Sequence, residues 1–193
     1  MPRVLIVFAS IDGQTARIAE RMALTLREAG LEALVHDVDS PEPPEVAGHA
    51  AVIVGGGIRY GRHSAALEQW VRSHLAELAR RPGAFFSVCL SAGGPGARPA
   101  TADGYRADFM RRTGWYPATQ ASFAGALPYR RYNPFVRLMM RIIVGVAGGD
   151  TDASRDYEYT DWDAVEIFAA AFAARVRGVP LPRPAVERVL EAR

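Results

Sequence analysis

The sequence predicts an α/β fold: a doubly wound, five-stranded parallel sheet with helices on both faces. Three observations predict it. Apolar runs such as Val4–Ala9 and Ala50–Val54 are hydrophobic at nearly every position, as parallel strands buried on both faces are. Segments with helical spacing lie between these runs. Hydroxyl- or glycine-bearing loops follow the first, third and fourth runs, at the rim where such sheets bind ligands.

Each element has its own signal. After the first strand, a helix over Ala16–Ala29 carries Ile18, Ala19, Met22, Ala23 and Leu26 at helical spacing. Leu34–Val38 is a short second strand, and the loop Ser40–Pro44 leads toward the third, Ala50–Val54. Gly55–Gly61 is a glycine-rich loop, followed by a helix with Leu67, Val71, Leu75 and Leu78 on one stripe. Ala84–Leu90 is the fourth strand, trailed by the loop Ser91–Gly96. A helix over Ala102–Arg112 and a fifth strand, Gln120–Ala126, complete the sheet. Thr160 reads as the N-cap of a final helix reaching about Val176, with Asp163 at the third helical position. The chain of 193 residues suits one domain over 1–177, followed by a proline-bearing tail over 178–193 with a short helix at Ala185–Ala192.

The loop Ser10-Ile11-Asp12-Gly13-Gln14-Thr15 joins the first strand to the first helix. There the unpaired N–H groups and the positive end of the helix dipole meet an anion. Ser10 and Thr15 add hydroxyl donors, and Gly13 lets the backbone approach closely. A nucleoside triphosphate site would need Gly-Lys-Ser/Thr, but the chain has no lysine. The spaced glycines of a dinucleotide fingerprint are missing too, and Asp12 disfavours a polyphosphate. A single phosphate monoester held by neutral donors fits, which points to flavin mononucleotide (FMN).

Composition limits the alternatives. Net charge is +2, all basic residues are arginine, and Cys89 is the only cysteine, so no internal disulfide forms. His36, His49, His63 and His74 lack metal-ligand spacing, so no metal is expected. No signal peptide and no membrane-spanning run is expected. Charge is uneven. Phe109–Gly149 holds Arg111, Arg112, Arg130, Arg131, Arg137 and Arg141 without an acid, and a strongly acidic segment follows from Asp150 to Glu166. Such a basic block suits an anionic partner, though nothing here reads as nucleic-acid binding.

Phe8–Thr15, Gly57–Gly61 with His63-Ser64, Gly125–Tyr132, Gly148–Asp152 and Tyr159–Asp163 together resemble the flavodoxin-like family. They are most similar to its branch of bacterial menaquinone-dependent protoporphyrinogen IX dehydrogenases. The resemblance covers roughly 3–176 and rests most specifically on Ile58-Arg59-Tyr60-Gly61 and Tyr159-Thr160-Asp161-Trp162. It implies a flavodoxin-like sheet with an insertion near the fifth strand, at about 127–157, and FMN as cofactor. The implied reaction is oxidation of protoporphyrinogen IX to protoporphyrin IX, in haem biosynthesis, with electrons passed to a quinone, menaquinone or ubiquinone. It also implies a cytoplasmic protein at the inner face of the cell membrane, and a homo-oligomer is compatible with it. Two departures concern flavin tuning and substrate contacts. Ile11 stands where relatives carry a basic residue, and Ser91–Pro99 is richer in glycine.

Roles follow from residue chemistry. Ser10, Ile11, Asp12, Gly13, Gln14 and Thr15 are expected to hold the FMN phosphate. Gly57, Ile58, Arg59 and Tyr60, with Leu90, Ser91, Ala92 and Gly93, are expected beside its ring. Arg59 and Tyr60 are the catalytic candidates, Arg59 meeting negative charge and Tyr60 stacking. In the insertion, Tyr129, Arg130, Arg131 and Tyr132 suit a macrocycle bearing propionates. The helix Phe135–Val144 places Arg137 and Arg141 one turn apart on a narrow polar face, a pattern that suits a membrane interface or an apolar substrate pocket. Gly145, Gly148 and Gly149 read as a flexible flap. Two other functions share this architecture: a flavodoxin-type electron carrier and an FMN-dependent NAD(P)H:quinone oxidoreductase.

Overall fold

Hydrophobic runs become strands, and alternation within each run assigns its two faces. The computed structural model describes residues 1–42 and 44–178. Strands β1 (Arg3–Ala9), β2 (Glu32–Asp37), β3 (Ala51–Gly57), β4 (Gly83–Val88) and β5 (Thr119–Phe123) form one parallel sheet in the order β2-β1-β3-β4-β5. Along β1, Val4, Ile6 and Phe8 face one way and Leu5, Val7 and Ala9 the other, and each set belongs to its own core. Helices α1 (Gln14–Glu28) and α6 (Trp162–Val176) cover the first face. There Ile18, Met22, Leu26 and Phe172 meet Ile53 and Phe86. On the second face lie α2 (Ala65–Ser73), the single turn α3 (Leu75–Leu78) and α4 (Pro99–Thr113). Trp70, Val71 and Phe109 pack there on Val54 and Phe85. The order reverses direction at β1/β3, so the loops after those strands diverge and leave a crevice at the rim.

The glycines Gly55–Gly57 belong to β3 itself and not to the loop that follows. A Cβ on Gly55 would fall 2.0 Å from Phe86 Cζ, and one on Gly56 would fall 2.8 Å from His63 Cδ2. Glycine here makes room for neighbouring rings within a strand.

The fifth strand also differs from the sequence reading. It stops at Phe123 and does not continue to Ala126. The carbonyls of Ala124 and Gly125 accept from Thr160 Oγ1 (2.8 Å) and Tyr159 N (3.1 Å), which turns the chain out of the sheet. It then forms β6 (Ala126–Leu127), antiparallel to β7 (Tyr157–Glu158). Between them the chain makes a strap: a 3-10 turn at Tyr129–Arg131, helix α5 (Pro134–Ala147) and an acidic return segment. Gly145 lies inside α5 and Gly148 ends it at φ 81°, so these glycines terminate a helix and do not form a loose flap. The cap of α6 is Asp161, whose carboxylate accepts from Ala164 N at 3.0 Å, which frees Thr160 to bond across to Ala124. The helix expected at 185–192, with the tail beyond 178, lies outside the described residues.

Candidate functional site

The rim crevice holds a cavity of about 440 Å³. Its floor is Ile11, Asp12, Gln14 and Thr15, without Ser10 or Gly13, one side is the turn Gly57–Gly61, the other is Val88–Leu90, and α5 roofs it. Gly13 caps α1 with φ 88°, a left-handed conformation that glycine adopts without strain, and no Cβ contact would otherwise bar a side chain there. Ser10 Oγ accepts from Ala16 N at 3.4 Å, a long contact. Thr15 is buried, and its Oγ1 would lie 3.0 Å from a Cβ on Gly57, so the two loops can approach because Gly57 is bare. The first N–H groups of α1 have no intrahelical acceptor, an arrangement able to bind an anion.

The turn after β3 is a two-residue hairpin. Arg59 N donates to Arg62 O (2.9 Å) and Arg62 N donates back to Arg59 O (3.1 Å). Its central residues have φ 50° (Tyr60) and 76° (Gly61), as a primed turn requires. Positive φ is strained for tyrosine. The turn puts Tyr60 in solvent at 76% exposure, with the Arg59 guanidinium 5.2 Å from its ring centre. Beneath, His63 anchors the turn through Ser87 Oγ at 3.0 Å, edge-on to Phe85 and Phe109. Burial lowers the pKa of His63 to about 4, against a smaller opposing pull from Asp108, so the ring is neutral at neutral pH.

The strap delivers only part of what its sequence promised. Arg131 and Tyr132 line the cavity. Tyr132 donates a long 3.3 Å bond to Asp12 Oδ2. Burial, reinforced by the Asp12 charge, raises the Tyr132 pKa, so its phenol stays protonated. Tyr129 is fully buried, with its hydroxyl on Asp150 O at 2.8 Å, and does not line the cavity. Arg130 is exposed and outside the cavity, its backbone N–H donating to Asp156 Oδ1 at 2.8 Å. Arg137 folds back and donates to the carbonyls of Tyr129 (2.9 Å) and Tyr132 (3.2 Å), so it braces the strap. Arg141 is exposed. Of the loop after β4, Leu90 lines the cavity, but Ser91, Ala92 and Gly93 do not. Ser91 O accepts from Arg98 N, and Gly93 backs onto Ala124.

Sequence reasoning missed several residues. Val136, Met139, Met140 and Ile143 form the apolar roof, and Cys89 sits in the wall, where burial raises its thiol pKa. The i, i+3, i+4, i+7 spacing on α5 was the available signal. The acidic segment fastens the strap: Asp150 Oδ2 accepts from Tyr159 (2.5 Å), and Asp152 caps a turn at Ser154. Glu158 accepts from Gln14 Nε2 (3.3 Å), Arg17 (2.8 Å) and Trp162 Nε1 (2.8 Å). Its burial opposes the charged form, but these donors outweigh it and hold its pKa below the usual range.

Comparison with known proteins agrees with this geometry. The flavodoxin domain model matches residues 5–154. A Leishmania major protein named protoporphyrinogen IX dehydrogenase (quinone) is 39% identical over 189 residues, 97% of this chain and 81% of that protein. An Escherichia coli K12 protein of the same name is 37% identical over 171 residues, covering 89% and 94%. An oxidised flavodoxin from Bacillus cereus superposes with a TM-score of 0.52 at 16% identity, covering 88% of this chain and 96% of that one, a likeness of fold alone. With a glycine-capped loop at the switch point, the chain is matched by a flavodoxin domain model over most of its length and by these relatives along nearly all of it, and so belongs to the flavodoxin family, in the branch it shares with the protoporphyrinogen IX dehydrogenases (quinone).

Proposed function

We propose that the chain, with residues 1–177 as its one domain, oxidises protoporphyrinogen IX to protoporphyrin IX and passes the electrons to a quinone, with FMN as cofactor. The observation that carries this reading is the cavity itself: an anion loop of neutral donors at one end, an apolar roof above, and Arg59 and Arg131 at its sides. The family of the relatives supports it.

The residues present fit FMN. The N–H groups at the start of α1, with the Thr15 hydroxyl on the cavity wall, suit a phosphate monoester, while Ser10 Oγ supports the loop from outside the cavity through Ala16 N. The cavity continues from that loop along Gly57–Tyr60, where a flat ring would lie. Bound there, FMN supplies the two-electron redox chemistry between porphyrinogen and quinone.

The protein's part is to bind and orient. Val136, Met139, Met140 and Ile143 offer a flexible apolar wall to a macrocycle or a quinone head. Arg59 and Arg131 can each fork onto a propionate carboxylate. Tyr60 offers an exposed ring for stacking at the entrance.

No helix among the described residues is long and apolar enough to cross a membrane. The outer face of α5, with Phe135, Leu138, Ile142 and Val146 exposed and Arg141 beside them, supports peripheral docking on the anionic inner face of the cell membrane. A second copy of the chain would compete for the same face.

Anaerobic addition of protoporphyrinogen IX to the flavin-loaded protein should bleach the flavin absorbance, and menaquinone should restore it. Bleaching by NADPH and not by the porphyrinogen would replace this reading with that of a nicotinamide-fed quinone reductase. Bleaching by neither would leave a plain electron carrier.

A further inference from the structure

The strap clips onto the phosphate loop and the first turn of α1 at both of its ends. Its first limb does so through Tyr132 on Asp12, its return limb through Glu158. The second clip is the denser one. Glu158 sits on β7, whose partner in β6 is Ala126, a residue of the cavity wall. Its carboxylate takes the side chain of Gln14, the first residue of α1, together with Arg17 one turn on and the indole N–H of Trp162 on α6. Gln14 is tied a second time, to Thr160 Oγ1 at 2.7 Å, and Arg17 returns a bond to Gln14 Oε1 at 3.0 Å. Gln14 is 8% exposed and lines the cavity. Its side chain is therefore turned to the return limb, which leaves its backbone N–H as the donor facing an anion at the helix start.

We propose that Glu158 is a positioning residue for the cofactor phosphate: it holds the first turn of α1 in register through Gln14 and Arg17, so the strap and the phosphate cradle keep their shape together. This rests on the FMN reading above and deepens it. Glu158 does not line the cavity, whereas Gln14 does, so its influence should reach a bound flavin through the first turn of α1 and fall on the phosphate end. Its acceptor oxygens matter more than its charge, because the Arg17 pair is half in water, where ion pairs contribute little.

The test measures dissociation constants of FMN and of riboflavin, which lacks the phosphate, by flavin fluorescence on the full chain stripped of flavin. Glu158→Ala should weaken FMN about tenfold, the effect of about 1.4 kcal/mol lost from the positioning of the first turn of α1, and leave riboflavin within about twofold. Glu158→Gln keeps an acceptor for Gln14 and Trp162 and should recover most of the FMN affinity. Equal weakening of FMN and riboflavin would reduce Glu158 to a general structural support and overturn the proposal. Unchanged FMN binding, or tighter binding through a released Arg17, would overturn it too. Wild-type protein that binds no FMN would remove the cofactor reading along with this inference, whereas FMN-binding wild-type with an unresponsive Glu158→Ala removes the inference alone.

Discussion

Along β1, six consecutive residues are buried, and their side chains enter two separate cores. Along the strap, from 127 to 158, the fully buried apolar cluster is only Leu127, Tyr129 and Val144, with Tyr132, Met140, Ala153 and Tyr157 partly buried against it. Hydrogen bonds from Tyr129 and Arg137, from Tyr159 just beyond the strap, and to the carboxylates of Asp150, Asp156 and Glu158 add to it. Stability in the sheet comes from apolar area removed from water, which is non-directional and additive over many residues. Stability in the strap rests on a small apolar cluster and, in larger share than in the sheet, on directional bonds, each contributing about 1 kcal/mol net. The sheet therefore holds the rim through many apolar contacts, whereas the strap depends on a small cluster and particular hydrogen bonds, so single substitutions in it should act more locally.

The largest expected effect tests the sheet half of that contrast. Phe86 is fully buried, and its ring occupies the space that a side chain on Gly55 would need. Phe86→Ala leaves a void facing a residue with no side chain to fill it. The loss should fall at about 3–5 kcal/mol in denaturant unfolding. A loss below about 1 kcal/mol would mean that the core relaxes far more easily than its packing indicates.

The next effect concerns His63, the buried histidine below the turn that lines the cavity. His63 titrates near 4 in the folded protein against 6.5 when unfolded. Between those values the unfolded chain binds the proton and the folded chain does not. The contribution is therefore complete above about pH 6.5 and lost as pH falls toward 4, amounting to about 3 kcal/mol at most. Unfolding midpoints taken from pH 7.5 down to 4.5 should show this slope, and His63→Gln should flatten it. Parallel pH curves for the two proteins would assign the slope to the carboxylates of the strap instead.

These two sites also mark what was legible in sequence. Phe86 belongs to a continuous apolar run, and such runs report parallel strands directly. The strand–turn–helix context of the loop from Ser10 to Thr15 was legible for the same reason, since it is local. The strap was legible as an insertion and as a helix, but its internal wiring was not. Arg137 and Arg141 look alike in sequence, one turn apart, yet Arg137 turns back onto two carbonyls while Arg141 stays in solvent. Tyr129 and Tyr132 also look alike, yet one is buried and the other faces the cavity. Both distinctions depend on how β6 and β7 pair, a contact between residues about thirty apart that no local pattern encodes.

The smallest expected change in stability, and the sharpest test of the strap's outward role, is at Leu138. It lies with Phe135, Ile142 and Val146 on the face of α5 turned away from the cavity, at 56% exposure. Leu138→Glu removes no buried contact, so unfolding free energy should stay within about 0.5 kcal/mol of wild type. A charge placed in an apolar stripe should nevertheless lower partition onto phosphatidylglycerol vesicles several-fold in a density-gradient flotation assay. Arg137→Glu is the wrong probe for this purpose. It would break the brace to Tyr129 and Tyr132 and disturb the cavity, mixing a loosened strap with a weakened membrane contact. If Leu138→Glu floats with the vesicles as well as wild type does, the outer face of α5 has no lipid role, and the division of the helix into an inner substrate wall and an outer docking surface fails with it.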